Sequence, residues 1–215
     1  MRHPSLALSA HATRSLSGDA VDRPDARRRA LTIASCLLPL AACKPSPTFH
    51  GIDLTPVSYA SDFALQGSDG RPHRLADFRG KVVMIFFGFT QCPDVCPTAL
   101  SRAAAVHQIL GAAAADFQVL FVTIDPERDT APVLAAYTAA FDPSFLGLYS
   151  DLAGTAAVAK EFKVFYGKVP TGSSYTMDHS TLSTVFDRKG KARLAIKHEM
   201  SAADLAEDVR QLLNT

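Results

Sequence analysis

The chain has 215 residues, 47% of them hydrophobic and 20% charged, enough to bury one full core and short for two large domains. Its 22 Lys and Arg stand against 21 Asp and Glu, a formal net charge of +1, and the second half carries no long basic run. Nucleic acid is discounted as a partner, because the phosphate backbone is bound through dense positive surface.

Met1 to Ala26 is rich in Ser, Ala and His without a clear period. Arg27-Arg28-Arg29 then precedes the apolar run ALTIASCLLPLAA, which is too short to span a bilayer and ends on small residues before Cys43. A basic region, an apolar stretch and small residues at the cut predict a signal peptide over 1–42. A buried helix fits poorly, because Pro39 interrupts the run. Leu40-Ala41-Ala42-Cys43 resembles the lipobox of bacterial lipoproteins. That resemblance implies lipid on Cys43 and a chain held at the membrane on the periplasmic side of a bacterial cell envelope. Residues 43–57 are polar with three prolines over Lys44–Pro56 and read as a tether, which leaves 58–215 as the folded domain.

Within that domain, Asp62 to Leu65, the turn Gly67-Ser68-Asp69-Gly70 and Arg74-Leu75 read as an N-terminal hairpin. Lys81 to Phe89 (KVVMIFFGF) and Phe117 to Ile124 (FQVLFVTI) are near-continuous runs of strand formers, the pattern of central strands covered on both faces. Helices are predicted over Pro97–Leu110, Thr130–Phe141, Leu152–Phe162 and Ser201–Leu213, with further strands at Phe145–Tyr149, Leu182–Asp187 and Ala192–Ile196. A polar loop is expected from Gly167 to Ser180. This order predicts an α/β fold: a thioredoxin-like mixed sheet with helices on both faces and an extra N-terminal β-hairpin.

If Cys36 leaves with the signal and Cys43 carries lipid, Cys92 and Cys96 remain as the thiols of the domain. In an oxidising compartment such a pair is a disulfide, a redox couple or a set of metal ligands. Proline follows each cysteine and disfavours α geometry before it, so Pro97 is expected to open the helix with Cys96 as its N-cap. The helix terminus is then expected to favour a Cys96 thiolate. Two soft thiolates suit Cu(I) or zinc, and the best third ligand is His179, in YTMDHS, just before a predicted central strand. Of the other histidines, His3 and His11 precede the cleavage site, His50 lies in the tether, His73 in a turn, and His107 and His198 read as surface residues. Asp178 is a candidate to orient His179, or else a surface-loop residue. Asp94 reads as a solvated turn residue, Asp129 or Thr130 as a helix cap, and Asp125 with Arg128 as part of a docking surface. Phe87 and Phe89 read as core.

DFALQGSDGRPHRLADFRGK, FFGFTQCPDVCPTAL, TIDPERDTAPVLAAYTAAF and YTMDHS, in this order, closely resemble the Sco family of copper-binding assembly proteins for cytochrome c oxidase. The likeness runs from about Ser61 to Ile196. It implies that Cys92, Cys96 and His179 bind Cu(I) or Cu(II). It further implies a metallochaperone that serves the dinuclear copper site of oxidase subunit II, or another copper acceptor. The alternative is a thiol-disulfide oxidoreductase that reduces the acceptor's cysteines, with Cys92 attacking and Cys96 resolving. Two departures from the family are a more polar strand at Thr181–Phe186 and the lipid-type N-terminus.

Overall fold

A computed structural model describes residues 48–56, 60 and 62–215. The predicted signal peptide, Cys43 and the start of the predicted tether lie outside the described residues. In chain order, the first elements are β1 (Ile52–Asp53), β2 (Ala64–Gly67), β3 (Pro72–Arg74), β4 (Val82–Gly88), α1 (Val95–Leu110), β5 (Phe117–Thr123), α2 (Ala131–Ala139) and β6 (Leu146–Tyr149). They are followed by α3 (Leu152–Glu161), β7 (Tyr166–Thr171), β8 (Ser174–His179), β9 (Ser183–Phe186), β10 (Ala192–Ile196) and α4 (Ala202–Leu213).

The two apolar runs become the centre of the sheet. All seven residues of β4 are buried. Successive side chains of a strand point to opposite faces, so both faces of β4 are covered. β5 lies parallel to it in register from Val82↔Phe117 to Gly88↔Thr123, and β6 continues the parallel set. On the other side β9 runs antiparallel to β4, and β10 antiparallel to β9. The predicted N-terminal hairpin is β2–β3, attached through β2 to β6, and the order across the sheet is β1-β10-β9-β4-β5-β6-β2-β3. Met84, Ile85, Phe86, Leu120 and Phe121 are almost wholly removed from solvent. Each such side chain contributes roughly 1.5–3 kcal/mol on burial, against a cost of about 1–2 kcal/mol for fixing each residue's backbone, so the core holds only collectively.

Three expectations need correction. Residues 48–56 belong to the predicted tether, yet they lie along the domain. β1 pairs with β10, and the backbone N–H groups of His50 and Gly51 donate to the buried carboxylate of Asp208 at 2.9 and 2.8 Å. The loop expected from Gly167 to Ser180 is largely a hairpin, with β7 and β8 paired antiparallel from Tyr166↔His179 to Thr171↔Ser174. The helix after the cysteine loop starts at Val95, with Asp94 as N-cap, so Cys96 and Pro97 are its second and third residues. Proline is tolerated there because the first N–H groups of a helix have no intrahelical partner. The first helical bond accordingly runs from Thr98 N–H to the Asp94 carbonyl, at 3.1 Å.

Candidate metal centre

Three separate pieces of the fold deliver the candidate ligands. Cys92 stands half-buried in the loop between β4 and α1, where its N–H donates to the Phe89 carbonyl. Cys96, in the first turn of α1, is fully buried because that face of the helix carries Ala99, Leu100 and Ala103 into the core. His179 ends β8. The two sulfurs and an imidazole nitrogen lie within 4.8 Å of one another, with Cys96 Sγ 3.6 Å from His179 Nε2. Among the described residues this is the one group of three His, Cys, Asp or Glu side chains placed to share a metal ion.

The histidine is prepared for ligation. Its Nδ1 lies 2.8 Å from the Ser180 carbonyl, and a carbonyl oxygen only accepts, so Nδ1 carries the proton and Nε2 turns its lone pair toward the sulfurs. Burial lowers the pKa of His179, outweighing the Ser180 carbonyl and the charge of Asp178, which both raise it. The neutral, metal-binding form is thereby favoured. Phe86 and Phe89 meet the ring at 71° and 87°, with centroids 6.1 and 5.8 Å away, and hold its plane. Ser180 thus takes the orienting role, and of the two readings of Asp178 its exposure agrees with a surface residue, on a strand rather than a loop.

The environment of Cys96 opposes the expected helix-stabilised thiolate. Burial pushes this thiol far above its ordinary range; the backbone N–H it accepts from near Phe89 opposes the shift, and the adjacent Cys92 adds to it. A helix terminus contributes about 0.3–1 kcal/mol, too little to offset desolvation of a buried anion. The proton leaves Cys96 readily when a soft cation takes its place on the sulfur. That sulfur has a dedicated space under Gly88, where an added Cβ would lie 2.7 Å from Cys96 Sγ.

Buried carboxylates brace the surrounding loops. Asp129 accepts from the Thr90 N–H at 3.1 Å and from the hydroxyls of Thr90 and Thr123, both at 2.6 Å, tying the cysteine loop to the end of β5. Of the two cap candidates, Thr130 occupies the N-cap position of α2, although its side chain makes no capping bond, and Asp129 does not. Asp125 is 1% exposed and pairs with Arg128, so it is an internal brace rather than part of a docking surface, whereas Arg128 is only partly buried. Asp94 is exposed, as expected. Phe87 and Phe89 are core residues, also as expected.

The remaining described histidines lie elsewhere. His73 is on β3 rather than in a turn, and faces Asp69 at 3.0 Å while stacking on Phe78. His50 pairs with Glu207. His198 is half-buried, and its carbonyl accepts from Arg102. His107 is not a surface residue: it packs between Phe117 and Phe145 near Asp142, and burial lowers its pKa against the raising effect of that carboxylate. Gly88, the Thr90–Asp129–Thr123 set and Ser180 escape sequence reading. A glycine ending an otherwise bulky strand next to CPDVC was the available signal for the first.

The profile of the SCO1/SenC family matches residues 53–214. An SCO2-like protein of Rickettsia felis is 37% identical over 138 residues, 63% of this chain and 67% of that protein. The mitochondrial SCO2 homolog of Bos taurus is 36% identical over 154 residues, 70% of this chain and 58% of its own length. The structure of Bradyrhizobium japonicum ScoI with copper bound is 35% identical, with a TM-score of 0.68 over 72% of this chain and 99% of that one.

Proposed function

Because the chain belongs to the SCO1/SenC family, we propose that it is a copper metallochaperone that assists assembly of the dinuclear copper site of cytochrome c oxidase. Copper, as Cu(I) or Cu(II), is its cargo, and Cys92, Cys96 and His179 hold it. The observation that carries this reading is the convergence of two thiols and an Nδ1-protonated imidazole within 4.8 Å. Two thiolates satisfy Cu(I), while a nitrogen ligand makes room for Cu(II). Half-exposed Cys92 offers the edge at which an acceptor thiolate exchanges in. The acceptor is oxidase subunit II or another copper-binding protein.

The test is copper loading of the purified full chain. The reduced protein is expected to bind one equivalent. The same protein with a verified Cys92–Cys96 disulfide is expected to bind none, because a disulfide offers no thiolate. Failure of the reduced chain to take copper, or equal binding by the oxidised one, rules the reading out.

A second activity is favoured by the unequal exposure of the cysteines, Cys92 half-buried and Cys96 wholly buried. The Cys92 thiolate attacks a disulfide of the acceptor, releasing one acceptor thiolate and forming a mixed disulfide. Cys96 then attacks the Cys92 sulfur and its proton passes to the departing second acceptor sulfur, so two electrons pass to the acceptor and this chain is left oxidised. Such a step precedes copper delivery, since the acceptor's cysteines bind metal only when reduced.

Among the described residues no helix is long and apolar enough to cross a membrane. The anchor we propose is lipid on Cys43 after removal of 1–42, which places the domain on the periplasmic side of a bacterial envelope. Support comes from LAAC at the end of the apolar run. One acyl chain binds membranes only marginally, so stable retention takes more than one. Metabolic labelling with a palmitate analogue is expected to mark the wild type and not Cys43→Ser; equal labelling of both excludes the anchor.

A further inference from the structure

The hairpin that carries His179 stands outside the main sheet. β7 and β8 pair with each other alone, so no ladder of the eight-stranded sheet sets the position of the imidazole. At the base of the hairpin, Ser180 N–H donates to the Phe165 carbonyl at 2.9 Å, and Phe165 N–H to the Ser180 hydroxyl at 3.0 Å. These bonds close the hairpin on itself. Attachment to the body falls to side chains: Met177, buried in the core, Tyr166 and the His179 ring packed against it, and Tyr175, four residues before the ligand, which alone of these is tied by polar bonds to the loop after β5.

Tyr175 is held from three directions by one polar assembly. Its hydroxyl donates to Asp125 Oδ1 at 2.8 Å, and its carbonyl accepts from Arg128 Nη1, also at 2.8 Å. The guanidinium lies over the tyrosine ring, 3.8 Å from the centroid. Arg128 Nε donates to the second oxygen of Asp125, and Nη1 also donates to the Gln91 side-chain oxygen at 3.0 Å. Gln91 immediately precedes Cys92. A single guanidinium therefore touches both the loop bearing one thiol and the strand bearing the imidazole. Its planar fork serves three acceptors at once, which an ammonium does not. The Asp125 side chain is fully buried and that of Arg128 partly so, which weakens solvent screening of the pair. Lys168 also covers the Tyr175 ring, at 4.6 Å, but its pairing with Glu127 is exposed and contributes little.

We propose that Arg128, with Asp125 and Tyr175, positions His179 against the two thiols and so decides whether copper meets two ligands or three. This rests on the copper reading above. The cysteines have further supports of their own, Cys96 its burial in α1 and the start of their loop its bonds to Asp129. Losing the Tyr175 side of the clamp frees the imidazole, while those supports and the Arg128 bond to Gln91 keep the sulfurs in place. Cu(I), content with two thiolates, is retained, and Cu(II), which needs the nitrogen, is lost.

The test uses the full chain with Arg128→Lys and, separately, Tyr175→Phe, which keeps the ring and removes one oxygen. In the metal-free protein, amide hydrogen exchange is expected to rise at Ser180 and along β8 while β4 and β5 stay as in the wild type. In the loaded protein, Cu(II) affinity is expected to fall about 10–100-fold, the range usual for partners that orient metal ligands, with loss of the thiolate-to-copper absorption. Cu(I) affinity, measured against a competing chelator, is expected to fall by a much smaller factor than Cu(II) affinity, and by no more than in His179→Ala. If Arg128→Lys fails to fold because Asp125 is left without its fork, Tyr175→Phe carries the test. Wild-type exchange in β8 overturns the proposal, as does a fall of Cu(I) and Cu(II) affinity by the same factor, which would mean general destabilisation. Persistence of the Cu(II) spectrum in both variants overturns the clamp alone. Its absence from the wild type as well takes down the copper reading and this one with it.

Discussion

Gly88→Ala should lower the stability of the fold by about 1–3 kcal/mol, the usual cost of overpacking a core. It should also cut copper uptake at temperatures where the chain is still folded. The added Cβ would meet Cys96 Sγ at 2.7 Å, a Phe121 ring carbon at 2.9 Å and a Phe86 ring carbon at 3.0 Å. The rings cannot retreat, because both are fully buried and pack on each other at 6.2 Å. Nor can the glycine backbone move freely: it pairs with β5 in register, and its carbonyl accepts from Ile124 N–H at 2.9 Å. The atom that yields is the Cys96 sulfur, at the end of a side chain with one rotatable bond. It leaves the cluster it forms with Cys92 and His179. Denaturant unfolding followed by circular dichroism gives the first effect, and copper stoichiometry under reductant gives the second. A wild-type midpoint with full copper loading would show that the space under Gly88 has slack and that the sulfur does not depend on it.

Legibility in the sequence followed where each element's stability comes from. Lys81–Phe89 and Phe117–Ile124 announced β4 and β5 because a strand buried on both faces must be apolar throughout. The cysteines and His179 stood out through residue chemistry and through family likeness, neither of which requires knowing the geometry. The β7–β8 hairpin was hidden for the opposite reason. Its strands contain Gly167 and Pro170 and bury little beyond Met177, so no period marks them. They are held by their own ladder and by Tyr175, a contact spanning 50 residues to Asp125. Residues 48–56 were misread similarly, as their composition suits a tether and the partner that captures them, Asp208, lies more than 150 residues away. The helix start at Val95 shows a local rule losing to burial. Proline disfavours α geometry at Cys96, but only a helical Cys96 puts its sulfur beneath β4. Asp125 reads from the sequence as part of a docking surface because its partner, the Tyr175 hydroxyl, lies 50 residues away.

His179→Ala should separate the two oxidation states of copper. Two thiolates within reach of one ion hold Cu(I) in near-linear coordination, so Cu(I) binding weakens without being abolished. Cu(II) favours nitrogen and higher coordination numbers. It should lose at least the ~10–100-fold in affinity that disturbing a ligand's outer partners costs, together with its absorption spectrum. The substitution also leaves a space between Phe86 and Phe89, so the unfolding midpoint must be measured alongside to separate lost ligation from lost packing. The same variant weighs delivery against reduction. Disulfide exchange by Cys92 and Cys96 needs no imidazole ligand, so the purified mutant should still reduce a model disulfide, whereas oxidase assembly in cells at limiting copper should fall. If assembly proceeds normally and Cu(II) binding is unchanged, His179 is not a ligand. The 3.6 Å approach of its Nε2 to Cys96 would then be a hydrogen bond that merely keeps a buried thiol protonated, and the pair of cysteines would act as a reductase alone.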